Sequence, residues 1–296
     1  MKRENPRRMP IAKLLLCAAT LLSILSSTEA GRAEAPASTL KKIAETGVVR
    51  IGYSAEDFPF SYRQSDGMVT GYSTELCLEV IDYIKNRLKL GAIEVEYVER
   101  TPRNRVAMLR NGELDIECVA STNNAERRKS VSFSYPHFVT GTQFVSLKKN
   151  NLKTIADLAG HTVAATSGTT NIGQLNTINR ERALHIAVMP VETHKDAFQL
   201  VTEGRAAAFV MDGILLAAMV AKSDSPEDYT LSTEAFGWPE PYGLMVRLDD
   251  IEFRDAVNAA LTEIYAMPVA PSGINLRLPM SAEVRAAFDN PAHPVE

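Results

Sequence analysis

The sequence predicts an α/β protein made of two successive units, each alternating strands with crossover helices. Three observations point there. Short apolar runs of strand length alternate with stretches that carry one apolar stripe at helical spacing. Glycines close most of the helical stretches. The whole alternation then starts again after residue 138.

Val48 to Tyr53 reads as a buried strand bounded by turn residues. Ser73 can cap a helix whose apolar stripe is Leu76, Val80, Ile84 and Leu88, at i, i+4 spacing, and Gly91 ends it. Ile93 to Val98 alternates like a strand. Thr101-Pro102 is a helix start with proline at the first helical position; that helix buries Val106 and Leu109 and stops at Gly112. Leu114 to Val119 is the next strand.

In the second unit Phe138 to Val145 is extended, and Thr154 to Leu158 forms a short helix closed by Gly160. His161 to Thr166 is a strand, Thr169 opens a helix, and Ile186 to Val191 is a strand. Asp196 to Glu203 is a helix ended by Gly204, and Arg205 to Met211 is a strand running into Asp212-Gly213. Tyr242 to Val246 reads as a further strand and Asp249 to Ala266 as a long helix.

The N-terminus predicts export. Lys2, Arg3, Arg7, Arg8 and Lys13 precede an apolar run from Leu14 to Leu25, and Thr28-Glu29-Ala30 supplies a small-x-Ala site. That is the layout of a secretory signal peptide over 1–30, and the run is too short to span a bilayer. Leu14-Leu15-Leu16-Cys17 is a weak lipoprotein box, because the apolar stretch before Cys17 is short. Removing 1–30 takes away five basic and two acidic side chains, so the net charge moves from −4 to −7. A mildly acidic chain argues against a nucleic-acid partner, which needs a basic patch. Cys77 and Cys118 remain after cleavage and can pair in an oxidising compartment, but their spacing does not establish it. No Cys/His spacing suggests a metal, and no cofactor motif is present.

Three turns lie where chemistry is expected, at the carboxyl ends of strands. Ala120 to Arg127 follows the strand ending at Val119; Asn123 with Glu126 reads as a capping box, which sets Arg127 one turn into a helix. Thr166-Ser167-Gly168-Thr169-Thr170 opens a helix whose free N–H groups favour an anion. Met211-Asp212-Gly213 ends a strand with a carboxylate. A planar guanidinium, a helix N-terminus and an Asp together suit a zwitterion. Singly, each has a plainer reading: a helix cap, a solvated basic face at Arg127-Arg128-Lys129, and a turn-forming Asp.

Asp57-Phe58-Pro59-Phe60-Ser61-Tyr62, Gly71-Tyr72-Ser73, Ser121 to Arg127, Thr166 to Thr170 and Met211-Asp212 occur in order over about residues 38–290. Together they resemble the solute-binding proteins of polar amino-acid ABC transporters, solute-binding family 3, nearest the glutamate/aspartate-binding branch. The resemblance implies the two-lobed periplasmic-binding-protein fold (type II), with a cleft between lobes joined by two crossover strands. It divides the chain into a first lobe over 31–140, a second over 141–244 and a return over 245–296, with linkers near 138–144 and 240–246. It implies a periplasmic monomer, an amino-acid ligand, a membrane permease as partner and no catalysis. Arg127 and Thr122 would hold the α-carboxylate, Thr169 and Thr170 would reach it from the second lobe, and Asp212 would take the ammonium. Arg105 and His194 match positions facing an acidic side chain, and Ser121 lies beside Thr122 in the same motif.

The departures weaken the acidic reading. Ser54 stands where the branch has an arginine, and Pro102 and Ala120 stand where it has serines; separately, Leu244 replaces a cysteine, so Cys118 lacks the partner it has in the branch. Losing one cationic clamp matters because a buried carboxylate needs full compensation. Glutamate or aspartate leads, with glutamine, asparagine or another polar amino acid as the alternative. A cyclohexadienyl or arogenate dehydratase-like enzyme recruiting Glu117 and His194, and an amino-acid sensor, are the other two classes.

Overall fold

The computed structural model describes residues 38–266; the expected signal peptide and the end of the return segment lie outside them. The chain opens with helix α1 (Thr39–Thr46), closed by Gly47 in the left-handed region. Strand β1 (Val48–Tyr53) follows, then the short strands β2 (Glu56–Asp57), β3 (Ser61–Arg63) and β4 (Val69–Thr70). Helix α2 (Tyr72–Leu88), β5 (Glu94–Glu99), α3 (Arg105–Arg110) and β6 (Ile116–Glu117) complete the first run. β7 (Val131–Leu147) leads into β8 (Thr162–Thr166), α4 (Thr170–Glu181), β9 (Ala187–Val191) and α5 (His194–Thr202). β10 (Ala208–Asp212), α6 (Gly213–Ala221), β11 (Tyr229–Leu231), β12 (Phe236–Arg247) and α7 (Ile251–Tyr265) finish the chain as described.

Two parallel α/β units are thereby set on either side of a pair of long antiparallel strands. In the main sheet the order is β5-β1-β6-β12-β7-β10-β8-β9, with β11 beside β7, and β2-β3-β4 form a separate small sheet. β1 runs parallel to β5 and β6, and β8 runs parallel to β9 and β10. β7 and β12 pair with each other from Val131↔Arg247 to Thr142↔Phe236, with register shifts between. β7 enters the second unit and β12 returns from it, so the expected linkers near 138–144 and 240–246 lie inside two extended strands. The pairing brings β6 to Met245 and Val246, and β10 to the far end of β7. This is the two-lobed arrangement expected from the alternation.

The core follows the periodicity. Leu76, Val80 and Ile84 of α2 are buried, and Phe253, Val257, Leu261 and Ile264 of α7 belong to the same apolar cluster. A second cluster around Phe144, Val163, Leu175 and Val210 fills the second lobe. Cys77 of α2 and Cys118 after β6 are joined by a disulfide.

Several local expectations change. The strand expected over 114–119 reduces to Ile116–Glu117, and α3 begins at Arg105 after a turn over 101–104, not at Pro102. The segment at Arg127 is a single 3-10 turn over 127–129, and Asn124, not Asn123, accepts from the Arg127 N–H at 2.9 Å. Asn124 stands three residues before Arg127, the spacing at which a capping side chain accepts from a backbone N–H of the first turn. α5 starts at His194 because Thr193 caps it, accepting from the Asp196 N–H.

His137, in β7, is buried against the rings of Tyr72 and Tyr242, with Nε2 2.9 Å from Ser73 Oγ. Burial pushes its pKa down to about 3. Between that value and the unfolded value the unfolded chain binds the extra proton, so stability falls as pH drops below about 6.5. Replacing His137 by Gln should therefore reduce the stability lost between pH 6.5 and 5.5 by about 1 kcal/mol. Urea unfolding of both proteins checks this, because the difference cancels the other titrating groups; equal losses would refute it.

Candidate functional site

Seven of the nine expected site residues converge at the carboxyl ends of the two parallel units. Arg105, Thr122, Arg127, Thr169, Thr170, His194 and Asp212 line one small enclosed cavity of about 20 Å³ between the lobes. Asp57, Arg100, Pro102, Ala120 and Asn171 complete much of its wall. The other two stand behind it. Ser54 accepts from the Glu56 N–H at 3.3 Å and so orders the turn that carries Asp57. Ser121 donates to Glu117 at 2.6 Å and accepts from Arg105 at 3.0 Å, which orients the Arg105 guanidinium.

The lobes meet across this cavity. Arg105 and Arg127 of the first lobe both donate to the Gly168 carbonyl, at 3.2 and 3.4 Å. Gly168 is in the left-handed region, and a Cβ there would come within 2.8 Å of the Pro102 carbonyl. A glycine is thus required for the two lobes to approach. Glu56 accepts from the His194 and Lys195 N–H groups at the N-terminus of α5, at 3.1 and 3.2 Å, and Arg103 pairs with Glu192.

The charges are unevenly matched, which says what the cavity can accept. Arg100 lies 2.6 Å from Glu117 and 3.1 Å from Asp57, and although burial opposes its charge, these carboxylates keep its pKa raised. It is fully paired. Arg105 is less well matched, with Glu117 4.0 Å away: burial, with Arg127 nearby, lowers its pKa to about 9. Burial also lowers that of Arg127, whose hydrogen bonds go to the carbonyls of Thr122 and Gly168. The buried Arg105 and the half-buried Arg127, both lacking full compensation, form an anion site. Opposite them, Asp212 is 4 % exposed and receives only neutral donors, Asn171 Nδ2 at 2.7 Å and the Tyr242 hydroxyl at 2.5 Å. Burial raises its pKa, the mark of a carboxylate that a cation would stabilise. An unmatched anion site beside an unmatched cation site is complementary to a zwitterion.

Sequence reasoning missed Asp57, Arg100 and Glu240. Asp57 and Arg100 each follow or flank the end of a parallel strand, so the strand-end rule applied to β1 and β5 would have found them. His194 Nε2 lies 3.5 Å from Asp57 Oδ1, and its Nδ1 lies 2.8 Å from Thr166 Oγ1. Glu117, one of the groups a dehydratase-like reading would recruit, is held by Arg100 and Ser121. Among the described residues no His/Cys/Asp/Glu group could hold a metal, and no helix is long and apolar enough to cross a membrane.

Known proteins resemble this chain over most of its length. The family model of the bacterial extracellular solute-binding proteins, family 3, matches residues 49–268. An L-glutamate/L-aspartate-binding protein of Pseudomonas aeruginosa is 36 % identical over 297 residues, covering 96 % of this chain and 97 % of that one. A glutamate/aspartate import solute-binding protein of Escherichia coli is 34 % identical over 275 residues, covering 88 % and 90 %. Among solved structures, holo ArgBP from T. maritima aligns with a TM-score of 0.67 and 30 % identity, over 75 % of this chain and 92 % of that one.

Proposed function

The chain belongs to the bacterial extracellular solute-binding proteins, family 3, and we propose that its cleft captures a free amino acid in the periplasm for delivery to the permease of an ABC importer. The observation that carries this reading is the pair of under-compensated guanidiniums, Arg105 and Arg127, facing the under-compensated Asp212 in one cavity shared by both lobes. Arg127 and Thr122 hold the α-carboxylate, Thr169 and Thr170 approach it from the second lobe, and Asp212 takes the ammonium. Arg105 and His194 face the side chain. Acidic amino acids are the proposed ligands, supported by what the two relatives are named for and by the incomplete pairing of Arg105. With Ser54 in place of a cation and Arg100 already paired to Asp57 and Glu117, Arg105 is the side chain on which the acidic preference depends.

Ligand entry requires the lobes to part, because a cavity of about 20 Å³ has room for little more than a water molecule. The protein acts as a monomer that opens and closes along β7 and β12, and transport needs no cofactor. A thermal-shift screen of the mature protein against the common amino acids tests the reading. A ligand at one hundred times its Kd adds about 2.7 kcal/mol, or about 5–10 °C for a protein of this size. Glutamate or aspartate should give the largest shift, and Arg105→Ala should erase that preference. A screen with no shift for any amino acid would sink the function. An unaltered ranking in the variant would sink the acidic pocket alone.

A further inference from the structure

Glu240 belongs to no motif in the sequence, yet the sheet places it in the wall of the cleft, against α4. It pairs with Thr140 of β7, and Asp212 pairs with Thr142 of the same strand. Directly paired residues share a face, and so do residues two apart, so both carboxylates leave the same face of the sheet. Glu240 is 1 % exposed. It accepts from Thr170 Oγ1 at 2.9 Å and from the Gln174 side-chain amide, both neutral groups on α4. It lines a second cavity of about 720 Å³ that shares Thr122, Arg127, Thr169 and Thr170 with the central one.

We propose that Glu240 is a second carboxylate of the ammonium site, so that the lobes close stably only on a positive charge. A protonated amine supplies that charge when a ligand is bound, and a proton on Glu240 supplies it otherwise. The inference rests on the amino-acid-binding reading above, with Asp212 as the first ammonium partner. The groups facing Glu240 leave it short of positive charge. β10 presents Asp212, β12 itself presents Tyr242, and α4 presents Thr170 and Gln174. Arg127 is the nearby cation, while Glu126, Glu181 and Arg182 line the wider cavity. Burial, and then Asp212, raises the Glu240 pKa to about 7. An ammonium placed between the two carboxylates lowers it again, so affinity should rise with pH up to about 7 and then level off.

The test uses calorimetric titration of the wild type, Glu240→Gln and Glu240→Asp with L-glutamate and with L-glutamine at pH 5.5, 6.5 and 7.5. The sole tryptophan, Trp238, serves as the conformational control, because its backbone N–H donates to Gln174, whose amide binds Glu240. Its fluorescence should still change on ligand addition in Glu240→Gln. The expected result is tenfold or weaker binding in Glu240→Gln at pH 7.5, partial recovery in Glu240→Asp, and a rise of wild-type affinity with pH that Glu240→Gln lacks. Three results overturn the proposal: binding within twofold in Glu240→Gln, a flat wild-type profile, or weakened binding that keeps the wild-type slope. Failure of the wild type to bind either amino acid overturns the reading beneath it instead.

Discussion

Arg127→Ala should weaken amino-acid binding by about 30-fold or more while leaving the unliganded protein as stable as the wild type, or more so. The guanidinium is half-buried in the cleft wall, its hydrogen bonds go to two backbone carbonyls, and it makes no ion pair with a described residue. It also depresses the pKa of its buried neighbour Arg105. The free protein therefore carries two close cations whose mutual repulsion a bound carboxylate relieves. Truncating one partner of a buried, hydrogen-bonded charge pair costs about 2–5 kcal/mol, so the loss of affinity should be about 30-fold or more. Without ligand, deleting Arg127 removes repulsion and a desolvated charge, and the melting temperature should hold or rise. Calorimetry and thermal melting on the same preparation separate the two effects. Affinity within fivefold of wild type would remove Arg127 from the site, and a collapsed melting temperature would make it a structural residue.

Breaking the Cys77–Cys118 bridge should produce the largest loss of stability. The two cysteines are 41 residues apart and wholly buried. Closing a loop of that length in the unfolded chain corresponds to about 4 kcal/mol in the chain-entropy treatment. For a protein of this size that is a drop in melting temperature of about 10 °C. The bridge ties α2 to the segment that runs from Glu117 to Ser121 and Thr122, so its loss should also loosen the first-lobe wall of the cleft. Melting of Cys77→Ala/Cys118→Ala beside the wild type measures the effect. Unchanged melting, or a wild type whose melting ignores a reductant under unfolding conditions, would show that the bridge contributes nothing.

Much of the architecture was legible because it depends on local periodicity. The apolar stripe of Leu76, Val80 and Ile84 does become the buried face of α2, and Thr169 caps α4 through the Ile172 N–H. The turn at Arg127 is not legible, because Asn123 and Asn124 are equally good caps in sequence, and only the chain's path decides which one reaches the 3-10 turn. The strand expected over 114–119 is only Ile116–Glu117, because a buried apolar run does not have to find a partner along its whole length. In the cleft, Arg127, Thr169, Thr170 and Asp212 were legible as polar residues at strand ends. Asp57 and Arg100 lie near the ends of β1 and β5, within reach of the same rule, whereas Glu240 lies inside β12, where nothing local distinguishes a charged residue bound for the interior from a solvated one.

By itself the sequence determined the order of strands and helices, the two-unit plan, and a set of polar residues suited to a zwitterion, because periodicity and strand-end turns are written over a few neighbouring residues. Tertiary structure alone decided how the charges are paired. Arg100 lies against Asp57, 43 residues away, Asp212 and Glu240 leave one face of the sheet through two different strands, and Cys77 meets Cys118. Whether a cation is already neutralised or still waits for a ligand depends on which distant partners folding brings within a few ångströms and away from water.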